Sequence, residues 1–218
     1  MKTATIVLDI CSYWHAGTGR GAGTTLDALV FKSAAGLPVL PGRTVRGLLR
    51  DALEKAARLR AVDETRFERG PATWCFGTGL DATAKESEPV NRVERLEEAR
   101  FRTDEGKLQV DSATLGDSPE EARKWERWAA GSPGEVEHLY RGFASTKIGP
   151  DGVVADHTLR SIEVTVPLRL YARVSGPEEG PDWIGALREA LPLIRGLGSH
   201  RNRGLGRVKA YLAEEGRR

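Results

Sequence analysis

The last part of the chain contains a stretch whose residue types suit phosphate binding, GLGSHRNRGLGRV at residues 196–208. Glycine permits positive φ and lets a ligand come close to main-chain N–H groups. The guanidinium groups of arginine match phosphate oxygens. The stretch lacks the Lys-Ser/Thr of a nucleotide P-loop and does not lead from a strand into a helix, which disfavours dinucleotide binding. An ordinary flexible loop is the alternative interpretation. The residues expected to contact a polyanion are Gly198, His200, Arg201, Arg203, Gly204 and Gly206.

A second basic motif is GLPVLPGRTVRGLLR, residues 36–50, in which a Pro-Gly pair precedes a predicted helix. The start of a helix offers N–H donors and the positive end of the helix dipole. Arg46 and Arg50 are four residues apart and therefore share one helix face, with Arg43 near the same end. This arrangement suits a phosphate backbone. A solvated basic helix face is the alternative interpretation.

The charge distribution along the chain is uneven, although the net charge is only +2. Residues 61–139 contain 18 acidic and 11 basic residues, whereas residues 190–213 contain five basic residues and no acidic one. A split of this kind favours a polyanionic partner on one face. Because arginine-rich surfaces also keep proteins in solution, charge alone leaves the nature of the partner open.

Hydrophobic patterns predict the elements that must position these motifs. Strands are predicted at residues 3–10, 107–115, 159–174 (with Pro167 at an edge or bulge) and 208–212, with a short strand or hairpin arm at 26–32. Helices are predicted at residues 44–60 (capped by Thr44), 119–130 (after Ser118), 134–143 and 182–194. Short helices that return between strands of one sheet predict an α+β fold of the ferredoxin-like kind. Trp125 and Trp128 are expected in the core or at a subunit contact.

Several classes of protein are disfavoured by the sequence. No run of about 18 apolar residues is present, so no membrane contact is expected. The first residues lack the layout of a signal peptide, and a cytoplasmic location is predicted. Cys11 and Cys75 form no CxxC pair and the four histidines are scattered, so we expect neither a disulfide framework nor zinc.

The two basic motifs together resemble the RAMP superfamily of CRISPR-associated proteins. Its members carry a Pro-Gly-x-x-x-(Lys/Arg)-Gly-x-x-Arg helix start and a glycine-rich loop near the C-terminus. A third segment, KIGPDGVVADHTLRSIE at residues 147–163, is similar to the thumb hairpin of backbone subunits in type III effector complexes. The resemblance implies one RAMP domain over residues 1–218 with an RRM-like core. It also implies a long insertion at about 62–106 and a thumb-like β-hairpin at about 141–175.

The resemblance further implies a role in antiviral defence, as a backbone subunit that binds CRISPR guide RNA. Expected partners are the guide RNA, single-stranded target RNA, other effector subunits and copies of the same chain. The helix start and the glycine loop would hold guide phosphates, and the thumb, including Lys147, would wedge between bases of the guide–target duplex. Because strand one contains no aromatic residue, we expect backbone tracking rather than base reading on the sheet.

An aspartate shortly before the helix start cuts bound target RNA in type III backbone subunits. Asp27, in the segment LDALVFK at residues 26–32, occupies its place. A carboxylate there would hold a divalent metal, Mg²⁺ or Mn²⁺, against a phosphate, or position the attacking 2′-OH. The resemblance therefore implies metal-dependent endoribonuclease activity through Asp27, and a surface aspartate in a turn is the alternative.

Two further hypotheses stay open. In related guide-processing endonucleases a histidine acts as general base without metal, which His15, alone or paired with His200, would do here. The other interpretation of His15 is simple contact with RNA. The last hypothesis is a non-catalytic binding or capping subunit with the same fold.

Overall fold

The computed structural model describes residues 1–23, 26–78, 105–146, 148, 152–153 and 158–213. Lys147, most of the predicted thumb tip and most of the predicted insertion lie outside this part of the chain. Within it, no helix has the length and apolar character needed to cross a membrane.

The described residues form two antiparallel sheets and a set of helices. The strands are β1 Lys2–Ile10, β2 Gln109–Val110, β3 Tyr140–Ser145, β4 Arg160–Thr165, β5 Arg169–Gly176 and β6 Val208–Leu212. The α-helices are α1 Gly42–Arg58, α2 Pro71–Phe76, α3 Pro119–Gly131, α4 Pro133–Glu137 and α5 Trp183–Ala190. Single 3-10 turns are formed by Glu64–Arg66, Leu191–Leu193 and Arg201–Arg203.

The main sheet has four strands in the order β2-β5-β1-β6, and all neighbours are antiparallel. Because α1 lies between β1 and β2, and α5 between β5 and β6, the core follows the β-α-β-β-α-β order of ferredoxin-like folds. The β3–β4 hairpin forms a second sheet, and in the sequence it lies between β2 and β5. The predicted α+β class is therefore confirmed.

One face of the main sheet is buried under α1 and α5. Side chains alternate between the two faces of a strand, so every second residue of β1 and β5 points into this core. The core-facing residues of the sheet are Ile6, Leu8, Ile10, Leu170, Ala172, Val174, Val208 and Ala210. The helices contribute Val45, Leu49, Ala52, Leu53, Ala56, Trp183, Ala186, Leu187 and Ala190. The opposite face of the sheet carries the other half of each strand's side chains.

The first part of the predicted insertion packs into this same core. Val62, Phe67 and Phe76 are buried there, and the Phe67 ring meets the Trp74 ring edge-on with centroids 5.8 Å apart.

Burial raises the pKa of the Cys75 thiol to about 12, so this thiol stays protonated and unreactive. The domain boundaries themselves stay a prediction.

The predicted helix at residues 134–143 is wrong in its second half. Helix α4 ends at Glu137, and β3 begins three residues later with Tyr140. Val136 and Tyr140 are both buried in one small cluster, which gives the four-residue spacing of a helix. Long-range pairing with β4 decides the outcome, because β3 joins β4 along its whole length, from Tyr140 opposite Thr165 to Ser145 opposite Arg160.

Four other elements differ from the sequence-based expectation. The predicted strand at 159–174 is two strands in different sheets, and Pro167, which has no N–H to donate, lies in the break. The predicted strand at 107–115 is reduced to β2, with isolated bridges at Ala113 and Thr114. Helix α1 begins at Gly42 after Pro41, not after Thr44, and α5 gives way at residue 191 to a 3-10 turn.

The two tryptophans of α3 are not in the core. Trp125 and Trp128 are 40% and 42% exposed, and their rings pack edge-on with centroids 5.5 Å apart. Ser118 caps this helix as predicted, because its hydroxyl accepts the N–H of Glu121 at 3.3 Å. The expected subunit contact through these rings stays a prediction.

Candidate nucleic-acid interface

Strand β4 forms backbone hydrogen bonds with the two loop segments that contain the candidate residues His15 and Asp27. One edge of β4 pairs with β3, and the other receives residues that follow β1. Trp14 exchanges two backbone hydrogen bonds with Thr165, at 3.1 and 2.8 Å. The N–H of Asp27 donates to the carbonyl of Ser161 at 2.7 Å. Trp14 and Asp27, which are 13 positions apart, are therefore fixed by the same strand.

A buried carboxylate lies in the middle of this edge. Glu163 Oε2 accepts the N–H of Val30 at 3.1 Å, and Oε1 accepts Lys32 Nζ at 2.7 Å. Lys32 Nζ also lies 3.8 Å from the centroid of the Tyr140 ring. Burial, and then the negative charge of Glu163, raise the pKa of Tyr140, so its phenol stays neutral and donates to the carbonyl of Gly36.

His15 lies inside the protein. Its side chain is only 4% exposed, and Nδ1 is 2.6 Å from the carbonyl oxygen of Glu163. Its own carbonyl accepts the N–H of Ser199 in the glycine loop at 2.9 Å. The structure thus places His15 as a support beneath the loop, whereas His200 is exposed and has Nδ1 3.0 Å from Ser199 Oγ.

The base of the glycine loop is closed by backbone hydrogen bonds. Leu197 donates to Gly206 at 2.9 Å, and Gly206 donates to Tyr13 at 2.7 Å. A Cβ added to Gly206 would lie 1.9 Å from the carbonyl oxygen of Leu197, and one on Gly198 would lie 2.4 Å from that of His15. Both glycines have positive φ. Gly198 and Gly206 are therefore required for packing inside the protein, a role that the sequence pattern did not distinguish from ligand contact.

The tip of the glycine loop is open to solvent. Residues 199–204 are exposed, and His200 has a left-handed φ of 58° that begins the 3-10 turn at Arg201–Arg203. A Cβ on Gly204 would meet no atom within 4 Å. The structure therefore brings His200, Arg201, Arg203 and Gly204 together on one exposed surface, which can receive an anion from solvent.

The arginines at the start of α1 have different environments. Arg46 donates to the carbonyl of Phe76, and Arg50 Nη1 donates to the carbonyl of Gly77 at 2.9 Å. These carbonyls end α2, where a helix leaves its acceptors without intrahelical partners. Arg43 is exposed, and its guanidinium carbon lies 5.5 Å from the centroid of the Phe31 ring. Arg46 and Arg50 thus tie α1 to α2, although Arg46 is itself exposed, and the guanidinium of Arg43 is not engaged by these carbonyls.

A cavity of about 470 Å³ adjoins the start of α1 at the edge strand β2. The basic side chains among its lining residues are those of Arg43, Arg46 and Lys107, and the described lining includes no carboxylate side chain. The sequence pattern predicts Lys107 only as the first residue of a strand. Its place beside α1 depends on the fold, since Lys107 donates its N–H to the carbonyl of Trp74 at 3.1 Å.

Asp27 is exposed, and its carboxylate is oriented by β4. Oδ2 accepts the N–H of Ser161 at 2.8 Å. Among the described residues, no cluster of three or more His, Cys, Asp and Glu side chains is suited to hold a metal. Mg²⁺ commonly binds through one or two carboxylates together with substrate phosphates. Asp27 would therefore supply one ligand to such a metal, and the described residues around it form no enclosed metal site.

A family model, that of the RAMP superfamily, matches residues 7–209. The chain belongs to the RAMP superfamily. This assignment confirms the resemblance seen in the two basic motifs, and the match spans both of them as well as the β3–β4 hairpin. A comparison with curated proteins finds no match.

This RAMP protein is also similar in fold to chains of solved type III-B complexes. One is in the cryo-EM structure of Cmr-beta bound to cognate target RNA, with a TM-score of 0.59, 10% identity, and 97% of each chain covered. Another is in the apo state of Cmr-beta, with a TM-score of 0.58, 11% identity, and 98% of each chain covered. At this identity the likeness establishes a shared fold over nearly the whole chain.

The two roles assigned to the loop glycines predict different costs of substitution. Gly206→Ala adds a clash with the Leu197 carbonyl to an unfavourable φ, whereas Gly204→Ala adds only the φ term. We expect Gly204→Ala to lower the free energy of unfolding by about 1 kcal/mol, and Gly206→Ala by about 3 kcal/mol or more. Urea denaturation of both variants measures this, and equal midpoints would contradict the assignment.

Proposed function

We propose that this RAMP protein is a guide-RNA-binding subunit of a type III CRISPR effector complex. Membership of the superfamily and the shared fold with chains of Cmr-beta support the proposal. The observation that carries it is the exposed loop tip with Arg201 and Arg203, which lies within a stretch of the chain free of acidic residues. In this proposal the partners are guide RNA, target RNA, other effector subunits and further copies of the chain.

The loop tip and the start of α1 contact phosphates in this proposal. Arg201, Arg203 and the open backbone around Gly204 bind at one edge of the main sheet. Arg43 and Lys107 bind at the other edge, beside the cavity near β2. Guanidinium and ammonium groups that neutralise phosphates release counterions, so binding of this kind weakens as salt increases. The β3–β4 hairpin is the thumb, which enters between bases of the guide–target duplex.

Asp27 is the residue through which target RNA is cut in this proposal. Asp27 would hold a divalent metal, which would supply Lewis-acid stabilisation of the charge that develops during cleavage. The protein's own contribution is to hold the carboxylate in place through the N–H of Ser161. This geometry also keeps the carboxylate next to β4, a strand of the hairpin that contacts the guide–target duplex in this proposal.

A non-catalytic binding subunit is the second candidate function. In the described part of the chain Asp27 belongs to no group of three or more potential metal ligands, and its carboxylate already accepts the N–H of Ser161, which favours this function. The hypothesis of a metal-independent processing enzyme has less support, because the buried imidazole of His15 is turned toward Glu163 rather than toward solvent.

Salt dependence of RNA binding tests the phosphate contacts. If about four phosphates are bound, log K for a single-stranded RNA should fall with log salt at a slope near −3. Arg201→Ala combined with Arg203→Ala should weaken binding to all sequences alike and reduce the slope by about 1.4. Arg58→Ala combined with Arg66→Ala removes the same charge from exposed side chains far from the loop in the sequence and serves as the control. An affinity that does not change between low and moderate salt would contradict the proposal.

Asp27→Asn tests the proposed chemistry. The amide oxygen still accepts the N–H of Ser161, so stability and guide binding should stay unchanged while the charge that a metal requires is lost. We expect metal-dependent cleavage of bound target RNA to fall to background in the assembled complex. Gel analysis of labelled target with Mg²⁺, Mn²⁺ or EDTA measures this. Cleavage by the variant at the wild-type rate would contradict the catalytic role of Asp27, and the non-catalytic binding subunit would then be the remaining candidate function.

A further inference from the structure

The face of the main sheet opposite α1 and α5 carries a row of aromatic side chains. Val7 of β1 pairs with Tyr171 of β5 on one side and with Tyr211 of β6 on the other. Because the even-numbered neighbours in these strands point into the core, these three residues point away from it. Tyr211 is 42% exposed, Tyr171 is half-buried, and Val7 is buried between them. We call Val7, Tyr171 and Tyr211 the aromatic row.

Cationic side chains flank the aromatic row on this face. In the next register position, Asp9 pairs with Arg169 and with Lys209, and Arg169 Nε lies 3.5 Å from Asp9 Oδ1. The ion pair with Arg169 neutralises the charge of Asp9, which is the one carboxylate at the register positions on either side of the aromatic row. On the other side of the row, exposed Arg173 pairs with Thr5. The strands of this face therefore present two tyrosine rings and three cationic side chains against one carboxylate, which suits a nucleic acid. Asp117 and Glu121 adjoin Tyr171 at a cavity that Arg169 also lines, so the more cationic side of the face is the one toward Tyr211 and Lys209.

The aromatic row lies between the two basic elements of the proposed RNA site. The glycine loop leads directly into β6, one edge strand of the sheet, and the start of α1 adjoins β2, the other edge strand. Gln109 and Ser175, which pair with each other on the open face, also line the cavity that contains Arg43. The two elements also lie at opposite ends of the strands, because β6 begins opposite Ile10 whereas β2 pairs with the residues of β5 that lie opposite Thr3 and Ala4. An RNA strand that contacts both elements by way of this face crosses the aromatic row diagonally, over roughly 25 Å.

We propose that the open face of the main sheet stacks bases of single-stranded RNA on Tyr171 and Tyr211. This inference rests on the proposed function and adds base contacts to the phosphate contacts. Stacking on aromatic rings tolerates any sequence, since every base has a π-face. The expectation of backbone tracking alone arose because β1 has no aromatic residue. The rings lie instead on both strands that pair with β1, in register with Val7.

The test compares an RNA of about twelve nucleotides with an abasic strand of the same length, by fluorescence anisotropy with the full chain. The wild type should bind the base-containing strand more tightly. Tyr171→Leu combined with Tyr211→Leu keeps an apolar cover over Val7 but removes the rings. We expect it to bind the base-containing strand roughly 10- to 100-fold more weakly and the abasic strand unchanged. Tyr171→Phe combined with Tyr211→Phe should retain wild-type affinity, and so should Trp128→Leu, which removes another ring that is 42% exposed.

The outcomes separate this inference from the proposed function. A wild type that binds neither strand would overturn both. A wild type that binds RNA with strong salt dependence, together with a double leucine variant that binds it equally well, would overturn only the base stacking. Ultraviolet crosslinking of the wild type to oligouridine, mapped by mass spectrometry, needs no variant. We expect crosslinks at Tyr171 or Tyr211, and crosslinks confined to other peptides would overturn the inference.

Discussion

The carboxylate of Glu163 is the group on which the arrangement of the candidate site depends. A buried charge is costly unless ion pairs and hydrogen bonds replace its hydration, at several kcal/mol for an unpaired group. Here the N–H of Val30 and the ammonium of Lys32 provide that replacement. The backbone of Glu163 meanwhile bonds the carbonyl of Ala28 and the ring of His15. One residue of β4 therefore fixes segments that precede it by more than 130 positions.

The consequences of this constraint reach both proposed activities. With Ala28 held by Glu163, Asp27 lies opposite Ser161, and its carboxylate is directed by a backbone N–H rather than by chance rotamers. With His15 held from below, its carbonyl accepts the N–H of Ser199, so the loop tip projects from a fixed base. The cationic tip and the candidate catalytic carboxylate are thus positioned by the same strand, although they are far apart in the sequence.

Local patterns were sufficient for some parts of this protein and insufficient for others. The apolar alternation of β1 and the turn-forming glycines before β6 are properties of a few adjacent residues, so both strands and the loop could be predicted. The β3 strand could not, because Val136 and Tyr140 have helical spacing and only pairing with β4 reveals the strand. Tyr171 and Tyr211 become one surface only through the register with Val7, which no local window contains.

The same reasoning separates residues that look alike in the sequence. Arg43, Arg46 and Arg50 belong to one motif, yet Arg46 and Arg50 donate to the carbonyls at the end of α2, whereas the guanidinium of Arg43 lies near the Phe31 ring. Gly198, Gly204 and Gly206 belong to another, yet only Gly204 has open space around it. In each motif, packing assigns some members to the fold and leaves others available to a ligand.

The central claim is that RNA binds from the start of α1, across the open face of the main sheet, to the glycine loop. Lysine acetylation with and without single-stranded RNA tests it most directly. Lys107 lies beside the start of α1, and Lys209 lies on the open face between Tyr211 and the glycine loop. Lys55 is 50% exposed and pairs with Asp51 one turn away on α1. The account predicts that RNA protects Lys107 and Lys209 several-fold and leaves Lys55 unchanged. Equal reactivity of all three lysines in the presence of bound RNA would contradict it.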